Sequence, residues 1–296
     1  MNSQQQTRKA AFAGSWYEGN QAKLNQELNN YLQNAQLQIS PIQKIKAIIG
    51  PHAGYRYSGP TQAWCYKYIN PQEHQRIFLL GPSHRSRFQG CGLSSCSSLD
   101  TPFGQIQVDT NVVKELINTG NFVQTDKQTE ESEHSLEMHL PYIKKIMGDK
   151  PFTIVPIMVG QTSYELEKKY GSILSKYFDD EKTLFIISSD FCHWGERFNY
   201  QYHDPQAGKI YQSIQKLDKE GMDAIESHSS KNFAQYLNET SNTICGRRGI
   251  GILLHIIEQS ALSKTLKTKF VQYAQSSQVV DEDDSSVSYA SAITYL

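Results

Sequence analysis

Four segments of the chain are apolar almost without a break: residues 46–50, 76–80, 152–159 and 184–189. A strand with one face in water alternates apolar and polar positions, whereas a strand covered on both faces does not, so these segments predict a sheet flanked by helices. Helical spacing fills the intervals. Leu166, Tyr170, Ile173, Leu174 and Tyr177 recur at i, i+4, i+7, i+8 and i+11 ahead of the strand that runs to residue 189, which is one stripe of an amphipathic helix. Ile250, Leu253, Leu254 and Ile257 predict a second, buried helix. Pro60 stands where a third, over "TQAWCYKYI", can begin, since its fixed φ and missing N–H suit a first turn. The final stretch, "SVSYASAITYL", reads as a closing strand. Pro156 counts against a central place for 152–159, because proline cannot donate to a ladder. Strands and helices alternate, as in an α/β fold. No repeat or low-complexity linker divides the 296 residues, and the acidic run "DEDD" (281–284) is too short to be a tail.

Three of the apolar runs break beside a histidine: "AIIGPHAGY" (47–55), "FLLGPSH" (78–84) and "LFIISSDFCHWG" (184–195). One such histidine is commonly a loop cap. In an open α/β sheet, however, the loops at the carboxyl ends of the strands form the ligand crevice, so three at equivalent places predict that His52, His84 and His193 share one site. His52 and His84 are 32 residues apart, close to one βαβ unit.

A sulfur donor can join them. In "NTICGRRGIGILLHIIE" (242–258) Cys245 precedes the predicted buried helix. The free amides and dipole there, with Arg247 and Arg248, predict a thiol that ionises more readily than usual. The alternative is a small packing cysteine. Two imidazoles and a thiolate suit zinc with one open position, iron, or copper, and soft sulfur favours Cu(I) or Zn(II) over Mg(II) or Ca(II). Asp190, in the same loop as His193, is placed to orient an imidazole or to take part in general acid–base chemistry.

"EHSLEMHLPYI" (133–143) carries two further histidines. Five residues apart, His134 and His139 cannot face one ion from a single helix. The stripe of Leu136, Leu140, Ile143 and Met147 assigns His139 a structural role, while His134, able to share a face with Glu137, is a pocket candidate. "CGLSSC" (91–96) lacks metal or redox spacing and reads as packing. GxGxxG, P-loop, GxSxG and HExxH motifs are all missing, which argues against dinucleotide, nucleotide, serine-hydrolase and zincin chemistry.

Composition narrows the classes further. Lys and Arg total 29 against 30 Asp and Glu, a net charge of −1, and this balance removes the case for a dedicated nucleic-acid or membrane-surface binder. No apolar run reaches the roughly 18 residues of a membrane span, and "MNSQQQTRKAAFAG" lacks the apolar core of a leader peptide. Five cysteines, odd in number and without a CxxC pair, fit a reducing compartment. A soluble cytoplasmic protein is the expectation, with the nucleus as a further compartment.

In order, "AGSWY", "GPHAGYRYSGP", "LLGPSH", "EHSLEMHLPY", "SSDFCHWG", "NTICGR", "YAQSSQ" and "DSSVSYA" resemble the Memo family, named for mediator of ErbB2-driven cell motility. The likeness spans nearly the whole chain. Memo proteins are in turn similar in fold to class III extradiol ring-cleavage dioxygenases, which implies a single α/β domain over residues 1–296, built on a central, mostly parallel or mixed sheet flanked by helices. By motif, His52, His84 and Cys245 match the family's metal ligands, Asp190 and His193 match the residues beside them, and Arg247 stands at the pocket rim. The related dioxygenases hold Fe(II) with two histidines and a glutamate, so a cysteine in the third position argues against catechol cleavage. The resemblance implies copper or iron binding with redox activity, phosphotyrosine-peptide recognition in signalling, and cytoskeletal partners in cell motility. Two other readings stay beside that one: a non-catalytic adaptor that binds phosphopeptides or proteins in a degenerate dioxygenase pocket, and an extradiol-type dioxygenase. Arg248 and Gly249 stand where the family more often carries a His-Pro pair.

Overall fold

A computed structural model of the chain describes residues 6–40 and 42–296; the first five residues of the stretch read for a leader peptide lie outside it. The strands are β1 (Thr7–Arg8), β2 (Ile45–Gly50), β3 (Arg76–Pro82), β4 (Cys91–Ser94), β5 (Ser98–Leu99), β6 (Ile106–Val108), β7 (Phe122–Thr125), β8 (Thr153–Val159), β9 (Thr183–Ser188), β10 (His193–Trp194), β11 (Lys267–Gln275) and β12 (Ser286–Tyr295). All join one mixed sheet. Its centre is five parallel strands in the order β6-β8-β3-β9-β2, extended by antiparallel β12 and β11 beyond β2. The four apolar runs are β2, β3, β8 and β9, and the closing strand is β12.

Continuous apolarity has the expected cause. Every residue of β2 and of β9 is buried, because helices cover both faces of the sheet; each fully buried aliphatic or aromatic side chain contributes about 1.5–3 kcal/mol. Phe78 of β3 and Phe185 of β9 stack across the pair at 4.7 Å.

Strand order is where the chain departs from a plain βαβ reading. β2 connects to β3 through the helix Tyr55–Tyr66, yet β9 lies between them, pairing Phe185 with both Ala47 and Phe78. The loops after β2 and β3 are therefore two strand spacings apart, about 10 Å. The loop after β9 fills the gap.

Proline positions also differ from expectation. Pro156 does sit inside a central strand. The amide of Thr153 bonds to Gln75 on the β3 side and the carbonyl of Ile154 accepts from Asp109 on the other side, so by alternation the nitrogen of Pro156 points away from β3. On that flank β6 pairs only as far as Ile154 and β4 only from Ile157. The missing N–H falls in the gap, and the ladder loses nothing. Pro60 lies inside the helix Tyr55–Tyr66 instead of opening it. Both Pro60 and Arg56, whose carbonyl loses its amide partner, are exposed, so water can serve that carbonyl.

The stretch 133–147 breaks into two short helices, His134–Glu137 and Leu140–Met147, with the predicted stripe buried throughout. The helices Tyr164–Asp179 and Arg247–Gln259 carry the two other predicted stripes and pack on each other. Gly171 permits this approach, since a Cβ there would strike the backbone and Cβ of His255. Among the described residues no helix is long and apolar enough to cross a membrane.

Candidate functional site

The parallel strands all deliver their carboxyl ends to one edge. There β2 leads into His52, β3 into His84 and β9 into Asp190 and His193. Cys245 arrives from the far end of the sequence, on the turn before the helix Arg247–Gln259. That turn is knitted to the β9 loop: the Cys245 amide donates to the Asp190 carbonyl (3.3 Å), the Asp190 amide donates to Cys245 Sγ (3.2 Å), and the Gly246 amide donates to Ser189 Oγ (3.0 Å). A Cβ at Gly246 would overlap the Ser188 carbonyl and the Ser189 side chain, so glycine is what lets the turn sit this close. As a result Sγ lies 3.1 Å from His52 Nε2, and one donor atom each from His52, His84 and Cys245 falls within 4.8 Å of the others.

His52 is buried, with its Nδ1 2.5 Å from Ser188 Oγ. Burial, then the neighbouring imidazoles of His84, His134, His139 and His193, hold its pKa well below the ordinary value, so the ring is neutral at pH 7. The 4.0 Å approach of Asp190 Oδ2 to Nε2 is accordingly no ion pair. Burial also raises Asp190, to about 7, against the hydrogen bonds it accepts from the His52 and Ala53 amides.

Two expectations about these groups need correction. Cys245 stands before a helix as foreseen, but its thiol is pushed well above the ordinary value, by burial first and by Asp190 second, with Arg247 opposing only weakly. Desolvation outweighs the helix end. Asp190 and His193, close in sequence, do not pair: Asp190 turns to the His52 backbone, and His193 Nδ1 donates to the Phe191 carbonyl at 2.9 Å. His193 opens β10, which pairs with β12. Its Nδ1–H thus fixed, His193 offers Nε2 as an acceptor to the cavity it lines; burial lowers its pKa.

Glu133 is a site residue that sequence reasoning missed. Almost fully buried, it accepts from the His84 amide (2.5 Å), His84 Nδ1 (2.8 Å), the Arg85 amide (3.3 Å) and the Ser135 amide (2.9 Å). Burial works to raise its pKa, but the hydrogen bond and charge of His84, with His134, bring it down to about 2. His84, Glu133 and His134 also bring three donor atoms within 4.8 Å. They do not make a second metal centre. The His84 and His134 rings are stacked, 4.5 Å apart and 19° from parallel, whereas imidazole binds an ion in its own plane, and two near-parallel planes do not meet at one ion. His52 and His84, at 77°, face no such obstacle.

His134 thus backs His84 instead of lining the cavity. Trp16 also packs on the His134 ring at 4.4 Å, and burial lowers the pKa of His134 to about 4. Glu137, expected on the His134 face, turns to the amino-terminal segment: it binds Arg8 Nη1 (2.6 Å), the amides of Ala11 and Phe12, and Tyr17 Oη. His139 is internal, as expected, accepting at Nδ1 from Tyr66 Oη (2.8 Å). Cys91 and Cys96 are buried and apart from the site.

A cavity of about 610 Å³ is lined by His84, His193 and Cys245 together with Phe233, Arg247 and Arg248, within the size range of small-molecule pockets. Arg247 Nη1 donates to the Ile244 carbonyl and Arg248 to the Gly160 carbonyl and the Gln161 side chain.

A family model described as "Memo-like protein" matches residues 8–293. The chain belongs to the Memo-like family. Protein MEMO1 of Homo sapiens is 46% identical over 286 residues, covering 96% of this chain and 95% of the relative. The protein memo-1 homolog of Caenorhabditis elegans is 44% identical over 293 residues, covering 98% of this chain and 83% of the relative. In structure, the chain is similar to an uncharacterized protein of Escherichia coli K12 with a TM-score of 0.50 at 13% identity, over 82% of this chain and 98% of that one, a likeness of fold alone. The motifs that carried the resemblance to the Memo family include the loops that build this site, from "GPHAGY" to "TICGR".

The sequence did hold a signal for Glu133, which stands directly before His134 in a short polar run. Nothing local ties it to His84, 49 residues away.

Proposed function

We propose that this Memo-like protein binds a copper or iron ion through His52, His84 and Cys245 and serves as a redox-active component of signalling that regulates the cytoskeleton and cell motility. The observation that carries the reading is the meeting of two nitrogen donors and one sulfur donor, from three separate loops, within 4.8 Å beside a cavity that His84 and Cys245 line. Such a donor set suits copper, iron or zinc. When bound, copper or iron would supply a one-electron couple at the inner end of the pocket. His193, with Nε2 open, holds or moves a proton there, and Asp190 fixes the His52 loop. A thiol in place of a carboxylate speaks against extradiol catechol cleavage.

A second reading is a phosphotyrosine-peptide adaptor, and what favours it is that Arg247 and Arg248 line the same cavity. Guanidinium groups recognise phosphate well, although these two are already partly engaged with carbonyls.

The deciding experiment is metal analysis of protein purified and loaded without oxygen. Wild type is expected to take up one Cu(I) or Fe(II), and Cys245→Ser to bind at least a hundredfold more weakly; equal affinity in the two proteins overturns the ligand assignment. Binding of a phosphotyrosine peptide in preference to its unphosphorylated form, unaffected by Cys245→Ser, would favour the adaptor instead.

A further inference from the structure

We propose that Ser188 and Glu133 are positioning residues: they place the ring protons of His52 and His84 on Nδ1, so that each ring keeps its lone pair on Nε2, that of His52 facing the Cys245 sulfur, before any ion arrives. The inference deepens the metal-binding reading, but its first test does not depend on it.

For His52 the assignment follows from donor counting. Ser188 Oγ lies 2.7 Å from the Ser135 carbonyl, which can only accept. A hydroxyl has one proton, and it is committed there. The 2.5 Å contact between Ser188 Oγ and His52 Nδ1 therefore has the ring nitrogen as donor. Ser188 and Ser135 are both fully buried, so this chain has no competing water to rearrange it. The neutral ring then has its lone pair on Nε2, the nitrogen 3.1 Å from Cys245 Sγ, and the thiol hydrogen bonds to it.

For His84 the partner is a carboxylate with both oxygens surrounded by N–H donors. Glu133 Oε2 takes the amides of His84 and Arg85, and Oε1 takes the Ser135 amide along with His84 Nδ1. Three backbone amides, which can only donate, point at the two oxygens, the surroundings of an ionised carboxylate, so His84 Nδ1 donates to Oε1 and Nε2 is left without a proton. A single short segment supplies both anchors: Glu133 directly, and the carbonyl of Ser135 through Ser188. Metal-binding histidines elsewhere are held in the same manner, and losing such a partner weakens metal binding 10- to 100-fold.

Nitrogen-15 NMR of the metal-free protein at pH 8 reads the tautomers directly. In wild type both rings should be protonated at Nδ1; finding His52 or His84 protonated at Nε2 overturns the proposal. Glu133→Gln should shift only His84 toward the other tautomer or a mixture, and Ser188→Ala only His52. A purely structural role would lower thermal stability without this ring-specific change. In the second arm, Cu(I) and Zn(II) affinities should each fall 10- to 100-fold in folded Glu133→Gln and Ser188→Ala. Changed tautomers with unchanged affinities would reject the positioning role. If wild type shows the Nδ1–H tautomers but takes up none of Cu(I), Fe(II) or Zn(II), the metal reading fails while the hydrogen-bond assignment stands.

Discussion

His52 and His139 are both internal, and burial depresses the pKa of each, that of His139 to about 3. Their surroundings make them opposites. His139 has an aromatic and amide cage, with Tyr66 Oη at 2.8 Å and Gln62 Nε2 at 3.2 Å both directed at Nδ1, and it packs within 3.1 Å of where a Cβ on Gly50 would lie. His52 spends Nδ1 on one serine and turns Nε2 toward a thiol, beside two other imidazoles and a cavity. A perturbed pKa alone does not distinguish a functional histidine from a core one. Convergence of open lone pairs does.

Substituting the two in parallel gives the sharpest break. His52→Ala should weaken Cu(I) binding at least a hundredfold, roughly 3 kcal/mol, whereas His139→Ala should leave it within a few-fold. Anaerobic competition titration with a Cu(I) chelator measures both; comparable losses would erase the distinction drawn here. The order reverses for stability. His139→Leu removes the acceptor of two buried donors and should cost about 2 kcal/mol in urea unfolding, while His52→Ala, which empties a site next to the pocket, should cost less.

His74 sharpens the same contrast away from the site. It is buried with both ring nitrogens unpaired, and burial, with Lys44, Lys46 and Lys150 nearby, lowers its pKa to about 4. A depressed histidine is neutral in the fold but protonates in the unfolded chain below about pH 6.5, so its contribution is full above that value and is lost as pH falls toward 4. Between pH 7.5 and 5.5 the loss is roughly 1 kcal/mol. His74→Phe should flatten the pH dependence of the unfolding midpoint by that amount. An unchanged slope would mean that the ring titrates normally.

Much of the framework could be read from local pattern. β2, β3, β8 and β9 were legible because a strand covered on both faces needs apolar side chains at every position, and the helices Tyr164–Asp179 and Arg247–Gln259 because one face of each is buried. β11 was not foreseen: its burial pattern is mixed, with exposed Lys267 and Lys269, and its pairing with β12 is set by tertiary contact. Pro156 misled because the cost of a proline depends on which neighbour its nitrogen faces, and one strand's sequence does not specify that.

Local pattern alone showed which residues would stand at the strand ends, since each apolar run stops where glycine, proline or serine ends it, and this was enough to nominate His52, His84 and His193, while the stripe of a buried helix nominated Cys245 ahead of it. Tertiary structure decided what those residues meet. The placing of β9 between β2 and β3, the reach of Glu133 to His84 and of Ser188 to His52, and the pairing of Asp190 with a backbone instead of with His193 all join residues far apart in the chain or turn neighbours away from each other. Protonation followed the same division. A helix end and two arginines, visible in sequence, favoured an ionised Cys245, but desolvation and the charge of Asp190 exist only once the chain has closed around the thiol, and in that low-dielectric setting they prevail.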